Sequence, residues 1–283
     1  MSARRSPGLQ RFLRNPTALA GLVFLAVITL LAVFAPLIYP GDPLGMEADA
    51  LLWPGQDWHY PLGTDALGRD VMAGVVHGGR VSLQVGILAS LFGVLLGLSI
   101  GAVAGYFGGK LDYGLQRLIE IFQTMPSFVL LVALVAIAQP SVPTLIFAIG
   151  VISWPTVARL VRAEVRSIRE REYILAARSV GYSHLRIIAL EVLPNILPTL
   201  IVTTSIMVAS AVLMESALSF MGLGDPNQVS WGSMIGSGRE QIRTAWYLTA
   251  IPGLAIFLTV LAFNLIGDGL TDAFNPSRDR AAK

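Results

Sequence analysis

The chain contains no cysteine, and only three of its 283 residues are histidine. Disulfides, thiolate nucleophiles and cysteine-ligated metals are thereby excluded. Charge is scarce too. Asp, Glu, Lys and Arg make up 13 % of the residues, about half the usual share of a soluble domain. The 20 basic and 18 acidic side chains nearly cancel, and no basic block is interleaved with aromatics, so nothing points to nucleic acid. A phosphate-binding loop is missing: "GYFGGK" (105–110) has Ala104 where the first glycine belongs, and Leu111 follows Lys110 where Ser or Thr is required. The G-x-S-x-G match at 97–101 lies inside a continuous apolar run and not at the strand-to-helix turn of a nucleophile elbow, and no H-E-x-x-H zinc pattern occurs. The expectation is a protein that is not an enzyme and needs no cofactor.

What is present is apolar. Hydrophobic residues reach 54 % and the mean hydropathy is +0.67, which points to the bilayer as solvent. About 20 apolar residues cross the hydrocarbon core. Six windows qualify: Ala18 to Tyr39, Ser82 to Gly105, Leu118 to Ala138, Val142 to Val161, Leu197 to Leu218 and Tyr247 to Ile266. In the third, Glu120 and Pro126 mark a polar start. The first window could be a cleaved signal peptide, but its apolar core is longer than usual and no clean A-x-A site follows, so an anchored helix is expected. With the amino terminus inside, only Arg69, Arg80, Arg239 and Arg243 of the 20 basic residues face outward. The positive-inside rule then puts both termini in the cytoplasm. The acidic residues of the spans, Glu120, Glu215 and Asp268, lie at or near span ends. Paired mid-depth ionisable groups, which would mark an ion-coupled carrier, are missing. Energy for transport has to come from elsewhere.

Three local patterns stand out. Ala89, Gly93, Gly97, Gly101 and Gly105 recur every four residues and let another backbone approach closely. That neighbour is expected within the chain, with a partner subunit as the alternative. Arg159, Arg162, Arg166 and Arg169 share one helical face. Snorkelling into anionic lipid headgroups is the expected role of this stripe, and protein docking the alternative. Most unlike its surroundings is the polar insert between spans four and five, 162–195. Glu172 to Val180 favours a helix, Gly181 suits the left-handed residue that ends it, and Ser183 can cap a second helix that Pro194 breaks. Two short helices outside the membrane, with small residues at the bend, would fit a groove on another protein. A connector lying on the membrane would look similar.

Ala176-Ala177, three residues, Gly181, nine residues and a stretch ending in Leu193-Pro194 resemble the EAA loop of ABC importer permeases. Two positions depart from that pattern: Leu175 replaces the usual acid and Glu191 an apolar residue. Glu172, one turn earlier, is the candidate replacement acid. Four further stretches look like the C-type permease of dipeptide, oligopeptide and nickel importers: "YPLGTDALGRDVMAGVVHGGRVSL" (60–83), "GGKLDYGLQRLIEIFQTMPS" (108–127), "ESALSFMGLGDPNQVSWGSMI" (215–235) and "AFNLIGDGLTDAFNP" (262–276). The resemblance implies an all-α, six-span type I importer bundle in a bacterial inner membrane. It implies a heterodimer with a B-type permease, two ATP-binding subunits and an extracytoplasmic solute-binding protein. The loop would be a coupling helix seated in an ATPase cleft, with Glu172, Ala176, Ala177, Arg178, Gly181, Leu193 and Pro194 as its docking residues. Small peptides are the expected cargo and nickel or its chelates the alternative; a stand-alone secondary carrier is a remote rival. The chain divides into 1–80 (tail, first span, external loop), 81–275 (core with five spans) and a cytoplasmic tail, 276–283.

One external stretch invites a different reading. "GTDALGRD" brings Asp65 and Asp70 together, with His59 and His77 in the same region, and such ligands suit nickel. Turn and cap chemistry is the expected role instead: Thr64 or Asp65 opens a turn and Asp70 caps the helix leading into span two.

Overall fold

A computed structural model describes residues 7–274. The expected tail 276–283 and the terminal residues Arg4, Arg5, Arg278, Arg280 and Lys283 lie outside the described residues. The described chain is all-α. It begins with α1 (Pro7–Arg14), α2 (Pro16–Val33) and the short α3 (Ala35–Ile38). Asn15 starts α2, its Oδ1 accepting from the backbone N–H groups of Thr17 and Ala18. After an external segment of turns comes α4 (Val71–Phe107), capped as expected by Asp70, whose Oδ1 accepts from the Met72 N–H at 2.8 Å. At 37 residues α4 is about 55 Å long, so it starts well outside the hydrocarbon and before the Ser82 boundary read from hydropathy.

The third span is broken. Helices α5 (Gly109–Thr124) and α6 (Ser127–Ala138) meet at 85°. Pro126 lacks an N–H and disfavours a helical Met125, which is extended at ψ 138°. The window Leu118–Ala138 is thus two half-helices, and its polar start belongs to the first of them. Then follow α7 (Val142–Arg169), α8 (Glu172–Ser179), α9 (His184–Ile187), a π-turn over Ile188–Val192, α10 (Leu193–Phe220), α11 (Trp231–Gly238), a 3₁₀ turn and α12 (Tyr247–Phe274). With the bent pair counted once, six segments among the described residues are long and apolar enough to cross a membrane.

The glycine row decides the centre of the bundle. Gly93 faces the Gly150 carbonyl, Gly97 that of Trp154, Gly101 that of Ala158 and Gly105 that of Arg162. Each step of four along α4 therefore meets a step of four along α7. A Cβ on Gly97 would lie 2.6 Å from Val157 Cβ and 2.7 Å from the Trp154 carbonyl oxygen, so any larger residue forces the helices apart. The row closes within the chain. Next to this pair, α10 packs between α4 and α12, while α2 lies against α12. The other side of α2 presents Leu22, Val23, Val27 and Leu30 outward, as a lipid-facing helix does.

At the end of the bundle where α4 starts and α10 stops, a polar knot joins three elements. Glu215 of α10 is fully buried and accepts from the hydroxyls of Ser82 on α4 (2.8 Å) and Ser219 one turn on (2.7 Å). Trp231, also fully buried, starts α11 and donates from Nε1 to the Val75 carbonyl at 2.8 Å. Gly78 and Gly79 leave room for its indole. The external segment is held from below by Tyr247, whose hydroxyl lies 2.8 Å from the carbonyls of Leu52 and Thr64.

Candidate functional site

Between α7 and α10 the chain leaves the bundle as a compact helix–turn–helix. Helix α8 ends in a Schellman arrangement: the Tyr182 N–H donates to the Ala177 carbonyl at 3.1 Å and the Gly181 N–H to Arg178 at 3.0 Å. Gly181 has φ +85°, the conformation expected from its place in the sequence. Ser183 opens α9, its Oγ accepting from the Arg186 N–H at 3.4 Å.

Two buried isoleucines hold the unit down. Ile174 of α8 and Ile187 of α9 enter one cluster with Tyr106, Val165, Ile168 and Val192, contributed by the C-terminal end of α4, by α7 and by the π-turn. Polar contacts reinforce this seat. The Tyr106 hydroxyl lies 3.0 Å from His184 Nδ1, and the Arg178 guanidinium sits 5.0 Å from the Tyr106 ring centroid. Arg186 stacks over Tyr182 at 4.0 Å. The loop is therefore fastened to three elements of the bundle, and a push on it reaches all three.

Its far side is open and apolar. Val180 is 77 % exposed and Leu185 79 %, with Tyr173, Leu175, Tyr182 and Leu190 also exposed. Nothing lies within 4 Å of a Cβ built on Gly181. Exposed apolar surface of this kind, near Arg171, Glu172 and Arg186, is what a contact with another protein or with the membrane surface presents.

The structure brings most of the expected docking residues to this unit. Glu172 stands exposed at the first position of α8, where a carboxylate suits the helix N-terminus. Ala176 is exposed, Ala177 half-buried against the isoleucine cluster, and Arg178 turned back onto Tyr106. Leu193 does not join the exposed surface but packs into the cluster beneath, whereas Pro194 is exposed at the start of α10. Pro194 does not break the second helix. The π-turn passes a Leu193 N–H to Ile188 O bond, Pro194 falls in the first turn of α10 where it needs no donor, and the helix runs on to Phe220. Of the two departures, Leu175 is exposed and Glu191 lies half-buried in the π-turn, its carbonyl accepting from Asn195 Nδ2 at 2.6 Å.

The arginine stripe differs from expectation. Arg162 makes a two-pronged pair with Asp112 of α5, with Nη2 2.8 Å from Oδ2. Arg169 donates to the Gly105 carbonyl at 3.2 Å, and Arg159 to Gln123 Oε1 at 3.3 Å. These side chains tie α7 to α4 and α5 instead of reaching for headgroups, because acceptors on both neighbours lie within hydrogen-bond range. Tyr106, His184, Ile174 and Ile187 were not singled out as site residues. Ile174 and Ile187 read as ordinary apolar positions of two helices, and only the turn at Gly181 brings them into one cluster.

In the turns before α4, the carboxylates are committed to backbone. Asp65 Oδ1 accepts from the N–H groups of Leu67 (2.8 Å) and Arg69 (2.9 Å), and Asp70 caps α4, which supports turn and cap roles over metal ligation. The His77 ring contacts the Tyr39 carbonyl at 3.1 Å. Hydrogen bonds from the backbone N–H and ring of His59 hold the Asp57 carboxyl below the usual range, whereas burial pushes Asp70 up.

Comparison with known proteins narrows the identity. Residues 93–280 match the family model described as a binding-protein-dependent transport system inner membrane component, and residues 7–54 the N-terminal TM domain of oligopeptide transport permease C. The di/tripeptide transport system permease protein DppC of Pseudomonas aeruginosa (strain UCBPP-PA14) is 40 % identical, covering 96 % of this chain and 92 % of the relative. The dipeptide transport system permease protein DppC of Haemophilus influenzae is 38 % identical (94 % and 92 % covered), and the oligopeptide transport system permease protein OppC of the same organism 36 % (96 % and 88 %). Among solved structures, an inward-facing MetNI methionine ABC transporter superposes with a TM-score of 0.61 at 20 % identity, over 72 % of this chain and 98 % of that one. An amino acid ABC transporter gives 0.52 at 20 % identity, over 70 % and 92 %. These two likenesses carry the fold alone. With a family model over more than half of it and relatives near 40 % identical along almost its full length, the chain belongs to the inner-membrane components of binding-protein-dependent transport systems, as a C-type permease subunit of an ABC importer in which separate subunits hydrolyse ATP.

Proposed function

We propose that the chain forms half of a peptide-translocating pathway and receives its energy through the helix–turn–helix at Glu172–Ile187. The observation that carries this reading is an exposed apolar tip, Val180 and Leu185, fastened by Ile174 and Ile187 to the inner ends of α4 and α7 and to the base of α10. Closure of an ATPase beneath the tip would tilt these elements together and switch the cavity from inward- to outward-facing. The docking residues are Glu172, Ala176, Ala177, Arg178 and Gly181, with Leu193 and Pro194 in support. The assembly consists of this chain, a B-type permease, two ATP-binding subunits and an extracytoplasmic binding protein. Residues 1–80 form an accessory anchor and 81–275 the permease core, with both termini cytoplasmic. Relatives named for dipeptide, di/tripeptide and oligopeptide transport support short peptides as cargo and do not favour nickel.

The test is Gly181→Trp. A Cβ at this position meets nothing within 4 Å, and a side chain at φ +85° costs only about 1–2 kcal/mol. The protein should reach the membrane at normal levels yet lose peptide uptake and ATPase co-purification. Wild-type uptake by this variant would remove the docking assignment. A pull-down of the native complex, with identification of its permease, ATPase and binding-protein partners, checks the assembly.

A further inference from the structure

Helix α5 is sharply two-sided. Tyr113, Gln116, Arg117, Glu120, Gln123 and Thr124 fall on one face at spacings of three and four. Leu111, Leu118 and Ile121 occupy the opposite flank and are exposed, while Ile119 packs on α7. An amphipathic helix of this kind could lie flat on the inner membrane surface, but the contacts of α5 are those of a helix that climbs. Gly108 sits beside Arg169, Asp112 pairs with Arg162, and the Phe122 ring meets Trp154 at 5.3 Å, near the middle of α7. The apolar flank therefore faces lipid, and the polar one rises through the membrane.

A second, independent feature lies at the top of this face. The break between α5 and α6 falls near the level of Trp154, and residues 125–129 are all exposed. No side chain caps the start of α6. Irregular backbone at membrane depth persists only where it is buried in protein or lines water.

We infer that the polar face of α5, from Tyr113 to the break at Met125–Pro126, is a wall of the aqueous translocation path and touches the passing peptide. The inference rests on the importer reading above. Its chemistry suits a short zwitterionic peptide. Arg117 and Glu120 pair at 2.6 Å with side chains still largely open, and Gln116 donates to Glu120 at 3.1 Å. This row offers a guanidinium, a carboxylate and amides to the carboxylate, ammonium and amide groups of a peptide sliding past.

The chain's lack of cysteine makes the test direct. Tyr113→Cys, Arg117→Cys and Thr124→Cys would each be introduced into the assembled complex in its own membrane. Leu118→Cys and Ile121→Cys serve as lipid-side references. All would be treated with a membrane-impermeant sulfonate thiosulfonate in inside-out vesicles, with modification followed on this chain by mass. The three polar-face thiols should react roughly tenfold faster than the references, because only a hydrated thiol ionises. Transported dipeptide should slow Arg117→Cys. If all three react as slowly as Leu118→Cys while the complex takes up peptide, the face is sealed and the inference falls with the importer reading intact. If the unmodified complex takes up no peptide, the cargo assignment falls and the inference with it.

Discussion

Glu215 shows how one buried residue can hold several elements. Its carboxylate is sealed from solvent one turn from the end of α10, yet it accepts hydroxyl donors from α4 and from its own helix. Read as sequence, it is one of three acids near span ends, with nothing to set it apart. Its partner Ser82 lies 133 positions away, and that pairing exists only once α4 and α10 are side by side. Glu215→Ala would strand two buried hydroxyls and should cost about 3 kcal/mol, since each buried hydroxyl left unpaired costs about 1–3 kcal/mol. The measurement is the thermal midpoint of the detergent-solubilised subunit, with Glu215→Gln retaining most of the stability. Gly181 is the opposite case, because its left-handed role is local. Helix-forming residues before it and a capping serine after it were enough to place it.

Between elements, the decisive features are close approach and breakage. The α4 glycine row was legible because period four is a helical period and small side chains have one main use in a membrane. Which helix would fill the row was not legible, since α7 and a partner subunit satisfy the same spacing. Gly97→Leu should drive α4 off α7 at Trp154 and Val157, at a cost of several kcal/mol. It should reduce the folded subunit recovered from membranes far more than Gly114→Leu, where a Cβ meets nothing within 4 Å. The two prolines diverged for a physical reason. Pro126 interrupts a chain with no alternative hydrogen-bond register, so the helix bends by 85°. Pro194 follows a π-turn that has already shifted the register, so the helix continues.

Across the whole molecule, the loop is fastened to α4, α7 and α10, and under the proposed function it is the route by which ATPase closure would reach the membrane interior. Truncating Ile187 to alanine opens a hole in the shared cluster and loosens that seat without touching the exposed tip. The complex should still assemble and hydrolyse ATP, while peptide uptake per ATP falls several-fold. Unchanged coupling would place the transmission elsewhere. The arginines of α7 belong to the same framework: Arg162 and Arg169 bind α5 and α4 at the inner end, where a reading of charge periodicity pointed to lipid.

Hydropathy, with the resemblance carried by the spacing of Ala176, Ala177, Gly181, Leu193 and Pro194, was sufficient for an all-α membrane protein of the importer-permease kind. Each of these signals is local or periodic, and the bilayer and helix geometry convert them directly into structure. Tertiary structure alone decided that the glycine row closes on α7, that Glu215 is a buried junction and that Ile174 and Ile187 share one seat. It also decided that the polar face of α5 climbs beside α7. These depend on residues far apart in the chain meeting at one depth, which the packing of several helices sets together and no single stretch of sequence encodes.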